Sequence, residues 1–239
     1  MPRLVPHLAP FAVAAALAIT APLLATDADA QIAPAGSAQP QPASPEATAD
    51  TVTKVQAFYD STTSFASDFT QEFFVKSHNV RKVSKGRVIF SKPGKMAWDY
   101  ADPAGNRVVS DGATLRVYEA GNKQLFEQTI DKSQYPAALS FLTGTGKLGD
   151  AFTFVMYPGA AMNFPGGDVL VGTPKKDNAA YTKVLFYVDS STHHVRRALI
   201  VDAQGNRNRF DFLEPKVNVP VDEGTFKLVP PPGTQVIKP

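Results

Sequence analysis

The chain of 239 residues predicts a mainly β fold, a single antiparallel sheet that is strongly curved or nearly closed, with short α-helices beside it. Three observations carry this prediction. From Phe65 to Leu228, bulky apolar residues alternate with polar ones in one short run after another, the period-two mark of half-buried strands. The pairs Asp111-Gly112, Gly121-Asn122 and Gly205-Asn206 separate neighbouring runs at hairpin spacing. With 44% hydrophobic and 19% charged residues, the composition is that of a globular domain.

Taken in order, residues 1–30 read as an export signal. Arg3 supplies a positive start, Leu8 to Ala25 is an apolar run broken by Pro10 and Pro22, and Ala28-Asp29-Ala30 has the small-x-small form of a cleavage site before Gln31. A run near the minimum spanning length with two prolines favours cleavage over a membrane anchor. Removing Arg3, Asp27 and Asp29 with the signal leaves 23 basic and 20 acidic side chains. Residues 31–44, rich in Ala, Pro, Gln, Ser and Gly, bury too little surface to offset the entropy of ordering and read as a disordered leader. Residues 45–239 are then the single folded domain.

Ser44-Pro45-Glu46 has the form of a helix start, with Ser44 as N-cap, Pro45 at the first helical position and an acid in the first turn. Val52, Val55, Phe58 and Tyr59 give that helix one apolar face, suited to covering a sheet. The strands expected after it cover 65–75, 86–91, a run with Met96, Trp98 and Tyr100 on one face, 107–110, 114–118, 124–129, 152–156, 168–172, 183–188, 195–201, 207–213 and 225–228. Lys92-Pro93-Gly94-Lys95 is the turn between the second and third. One stretch breaks the pattern: 136–142 reads as a short helix from Pro136, Gly144-Thr145-Gly146 interrupts it, and a second turn follows at 147–151. Leu139, Phe141, Leu142 and Leu148 are more apolar than a solvated loop requires, and the flanking glycines make the segment a candidate movable lid.

The residues exclude several function classes. A net charge of +2 gives no grip on a polyanion, so no nucleic-acid partner is expected. The absence of Cys excludes a disulfide scaffold, a thiolate metal site and a thiol nucleophile, and with them a bacterial lipoprotein anchor on a cysteine. Adjacent histidines in a strand would point to opposite faces, so His193 and His194 are badly placed to share a metal, and a surface turn is the expected reading. Asp99 with Asp102, or Asp202 with Asp211, are the available carboxylate pairs, but acids beside turns are common and nothing marks these out for glycoside chemistry. No nucleophile elbow, zinc-protease helix or phosphate loop occurs. The expectation is therefore no enzyme, no catalytic residue, no metal and no cofactor. An apolar-lined sheet without reactive side chains reads as a container.

Phe69-Thr70-Gln71, the run Gly86 to Trp98, and Val109 to Tyr118 resemble successive signatures of the LolA-type outer-membrane lipoprotein carrier family. Pro136 to Gly144, Thr173-Pro174-Lys175, Asp202 to Asn206 and Phe226 to Thr234 are similar to its later blocks, in the same order, and the resemblance spans 51–237. It implies an unclosed antiparallel β-barrel with a helical lid, whose apolar interior shields the acyl chains of a lipoprotein crossing the periplasm. The implied partners are lipoproteins, an ATP-driven (ABC-type) inner-membrane release complex and an outer-membrane lipoprotein acceptor of the same fold, with the carrier acting as a periplasmic monomer. A periplasmic domain that binds or senses a lipid or glycolipid is the alternative, and a regulator of that kind usually adds a further domain or membrane segment.

By strand parity and resemblance together, Met96 and Trp98 face the cavity, with Phe69, Phe90, Leu115, Val117 and Phe126 as further lining and Leu139, Phe141, Leu142 and Leu148 above them in the lid. Trp98 offers both a ring face and an N–H suited to an ester, and Met96 an adaptable thioether chain. Many family members carry Arg immediately before the Pro of the 92–95 turn, where it holds lid carbonyls. Here that position is Lys92, which lacks the planar fork of five donors, so a latch through it is expected to be weaker.

Overall fold

The computed structural model of the protein describes residues 40–130, 141–177 and 179–238. The signal, residues 31–39 of the leader, Leu139 and the start of the 136–142 helix lie outside the described residues. Helix α1 (Pro45–Ser61) opens the fold, and strands β1 (Ser64–Val75), β2 (Val80–Ser91), β3 (Lys95–Asp102), β4 (Ala104–Asp111), β5 (Thr114–Glu119) and β6 (Gln124–Thr129) follow. A short helix α2 (Leu148–Ala151) leads into β7 (Phe152–Pro158), β8 (Gly167–Pro174), β9 (Lys183–Asp189), β10 (Val195–Val201) and β11 (Arg207–Val217), and β12 (Gln235–Ile237) ends the chain. Among the described residues the twelve strands form one sheet in the order β12-β6-β5-β4-β3-β2-β1-β11-β10-β9-β8-β7. Every pairing is antiparallel except β12 on β6. Because β7 and β12 do not pair with each other, the barrel is unclosed.

Helix α1 forms as its sequence dictates. Ser44 Oγ accepts the Ala47 N–H at 3.2 Å, and at the other end the Thr62 hydroxyl donates to the Phe58 carbonyl at 2.8 Å. Val55 and Tyr59 are buried, and Val52 and Phe58 pack against the same cluster. Just before the helix, the Ala43 N–H donates to the Met156 carbonyl of β7 at 2.8 Å, which ties the chain to an edge strand.

Alternation along each strand sorts side chains onto two faces. The inner face holds one large cluster running from Phe65, Phe69, Phe90, Met96 and Trp98 to Phe186, Phe210 and Phe212. The outer face carries two small clusters. Ala97 and Val109 are covered there by Phe226, Val221 and Leu228, while Val169, Leu185 and Tyr187 are covered by Met162 and Phe164.

Two expectations need correction. Residues 225–228 are not a strand: Glu223–Phe226 is a 3-10 turn, started by the Asp222 side chain accepting the Gly224 N–H at 2.6 Å, and its Phe226 plugs the outer face. Strand β2 begins at Val80, six residues before the expected start, so the β1–β2 hairpin is longer than the apolar pattern implied. Its added residues are mostly exposed, Val83 to 58%, and a strand solvated on both faces gives no alternation to read.

Candidate functional site

The predicted lining residues fall on adjacent cross-strand rungs of one face. One rung runs Phe65, Phe90, Met96, Ser110 and Leu115 across β1 to β5. The next runs Ser67, Val88, Trp98, Val108, Val117 and Phe126 across β1 to β6. Phe69, Phe90, Met96, Trp98 and Leu115 are each 1% exposed, Val117 is 9% exposed, and Phe126 is half-buried against the same cluster. The structure thus places in or against one cluster all seven residues chosen by parity and resemblance together.

Their side chains meet one another. The Trp98 ring lies 4.9 Å from Phe69, 5.7 Å from Phe90 and 5.1 Å from Phe210 between centroids, so the inner face is filled by its own aromatic rings. Phe69 also meets Tyr100 edge-on at 5.2 Å. The strand between them contributes Gly86, where an added Cβ would stand 2.0 Å from the Asp99 carbonyl oxygen. An open groove of about 560 Å³ runs beside Gly86 on the other side of the sheet, bordered by Asp68, Arg87, Asp99 and Leu213. Its charged rim makes it a different environment from the inner face.

Helix α1 and the 141–151 stretch cover the inner face. Phe141, Leu142 and Leu148 are buried in the inner cluster, and Phe141 meets Phe186 of β9 edge-on at 5.1 Å. Two α1 side chains hold this stretch: Tyr59 meets Phe141 edge-on at 4.8 Å, and Gln56 accepts the Leu148 N–H at 2.8 Å. The Tyr59 hydroxyl accepts the buried Val195 N–H at 3.0 Å, and burial pushes its phenol well above the ordinary value, the Val195 hydrogen bond pulling slightly the other way. Gln56 and Tyr59 were legible as helix residues and not as clasps, because their partners lie 92 and 82 or more positions away.

Lys92 sits where the cover meets the β2–β3 turn. Its ammonium donates to the Tyr59 carbonyl in the last turn of α1, and its stem lies against Gly144, at which an added Cβ would come within 2.7 Å of Lys92 Cδ. Burial lowers the Lys92 pKa, and Asp60 partly offsets this. Two residues on, the Gly94 N–H donates to the Thr143 carbonyl at 3.0 Å. The turn therefore grips α1 through a side chain and the 141–145 stretch through its backbone.

Three of the four acids weighed for chemistry have other partners. Asp99 pairs with Arg107, Asp211 with Arg197 and Arg209, and Asp202 accepts the N–H groups of Gln204 and Asn206. His193 and His194 lie in the expected turn, before β10, where Asp189 accepts from Ser191 and Thr192. Among the described residues, no group of three or more His, Cys, Asp or Glu could hold a metal ion, and no helix is long and apolar enough to cross a membrane.

The family described as outer membrane lipoprotein carrier protein LolA matches residues 60–229, which takes in the whole of every strand from β1 to β11. The chain belongs to the LolA family. An outer-membrane lipoprotein carrier protein of Ralstonia nicotianae is 27% identical over 197 residues, covering 80% of this chain and 89% of that protein. One of Alkalilimnicola ehrlichii is 28% identical over 184 residues, covering 76% and 80%. A solved LolA superfamily structure from Nitrosomonas europaea aligns with 75% of this chain and 97% of its own at 12% identity and a TM-score of 0.42.

Proposed function

We propose that this LolA-family protein is a periplasmic carrier. It binds the acyl chains of lipoproteins released from the inner membrane by an ATP-driven complex and hands them to an outer-membrane acceptor. The observation that carries this reading is the inner face of the sheet: two rungs, apolar but for one serine each, one over β1 to β5 and one over β1 to β6, under a cover of α1 and the 141–151 stretch.

The physical requirement is set by the cargo. Each methylene removed from water is worth about 0.8 kcal/mol, so an exposed acyl chain would aggregate or return to the membrane it left. On the inner face, chain methylenes exchange ring-to-ring contacts for ring-to-chain contacts of similar worth, which keeps binding reversible. Met96 and the phenyl rings repack without exposing a polar group. The cover is held by the burial of Phe141, Leu142 and Leu148 in the inner cluster and by a few directed contacts: Tyr59 with Phe141, Lys92 with the Tyr59 carbonyl, Gly94 with Thr143 and Gln56 with Leu148. Opening the cover exposes this apolar surface, and the bound acyl chain has to offset that exposure. In this reading Lys92 is the latch, acting on α1 as well as on the 141–145 stretch.

Depleting the protein tests the role. The expected result is accumulation of outer-membrane lipoproteins in the inner membrane. Normal lipoprotein sorting, or purification of the protein with a glycolipid and no lipoprotein, would overturn it.

A further inference from the structure

Trp98 is the single tryptophan of the chain, it is 1% exposed, and its indole Nε1–H has no hydrogen-bond partner among the described residues. Its cross-strand neighbours on the inner face are Val88 and Val108, and its ring is surrounded by Phe69, Phe90, Phe210 and Phe212 at 4.9 to 6.3 Å. None of these side chains has an acceptor oxygen. Two residues along the same strand face, Tyr100 shows the usual arrangement: its hydroxyl donates to Gln71 Oε1 at 2.9 Å, and the Gln71 amide reaches Asn208 at 2.9 Å. The sheet thus satisfies one polar aromatic group and strands the other.

A buried donor without an acceptor is destabilising and rare in folded proteins. A phenylalanine would fill this aromatic site without that cost. A hydrocarbon tail offers no acceptor either, but the group that joins an acyl chain to glycerol does. Resting on the carrier reading above, we infer that Trp98 donates its Nε1–H to the ester carbonyl oxygen of a bound acyl chain. This fixes the depth of the chain on the inner face and makes the site selective for acyl esters over plain alkyl chains.

The test compares two single-chain phosphocholine lipids of equal chain length, one ester-linked and one ether-linked. With one tryptophan, the ¹⁵N-labelled protein gives one indole cross-peak, so the unaltered protein reports directly. The ester lipid is expected to move that proton downfield and to bind about threefold to tenfold more tightly than the ether lipid, the range of one net hydrogen bond. In Trp98→Phe both lipids are expected to bind with the weaker, ether-type affinity. Equal shifts and equal affinities for the two lipids in the unaltered protein would overturn the ester contact and leave the carrier reading standing. Failure of both lipids to bind would overturn the two together.

Discussion

The Tyr59 ring meets Phe141 edge-on at 4.8 Å while its hydroxyl accepts the Val195 N–H at 3.0 Å, so one side chain of α1 clasps both the cover and the first residue of β10. The two contacts are separable. Tyr59→Phe keeps the ring and leaves a buried N–H unpaired, with an expected loss of about 1–2 kcal/mol in denaturant unfolding. Tyr59→Ala also opens a hole against Phe141, with an expected loss of about 3–5 kcal/mol. Equal losses in the two variants would contradict this division.

Lys92 bears on release more than on stability. Lys92→Met preserves the stem packed on Gly144 and removes the donor to the Tyr59 carbonyl. The carbonyl lies in the last turn of α1, where water can replace the lost donor. The expected result is an unfolding free energy within about 1 kcal/mol of the unaltered protein, and severalfold faster dissociation of a fluorescent acyl probe in stopped flow. Lys92→Arg is expected to slow dissociation, because a guanidinium fork makes more than one hydrogen bond. Unchanged dissociation in both variants rules out the latch.

Much of this was legible in the sequence, for reasons that vary by residue. Met96 and Trp98 alternate with Ala97, and the structure sends the first two to the inner cluster and Ala97 to the outer one. The same rule applied to Phe210 and Phe212, which flank Asp211, would have placed them on the inner face too. At the start of β1 alternation fails: Phe65, Ala66 and Ser67 are all buried because the pairing with β11 shifts register between Ala66 and Asp68. Strand β12 has three residues and takes its partner β6 in parallel, a tertiary choice that no local period encodes. The Lys92 contact with α1 likewise depends on which carbonyl the fold brings within reach.

Gly86 and Gly149 make a matched pair. A methyl at Gly86 would press on the Asp99 carbonyl at 2.0 Å, where only backbone can yield. Gly86→Ala is expected to cost at least about 2 kcal/mol by thermal unfolding. Gly149 in α2 has nothing within 4 Å of an added Cβ, and Gly149→Ala is expected to be neutral or to stabilise by up to about 1 kcal/mol. A neutral Gly86→Ala would contradict the packing described.

Asp111 contributes to acid stability. Burial raises its pKa, but the N–H groups of Thr114 and Ala113 and the Arg116 guanidinium outweigh that and hold the carboxyl at about 2, below its ordinary 3.8. A carboxyl lowered by folding stabilises fully above its unfolded value and loses that contribution as pH falls through its native one. The expected outcome is a steeper fall in urea midpoint between about pH 4 and pH 2 for the unaltered protein than for Asp111→Asn. The effect is small because the side chain is 40% exposed. Parallel curves would remove Asp111 from the acid response.

Photocrosslinking in the periplasm tests the central claim most directly. A photoreactive residue is placed at Met96, on the inner face, or one position along at Ala97, on the outer face. The account predicts lipoprotein adducts from position 96 and few or none from position 97. Adducts from 97 alone, or equal yields from both, would contradict it.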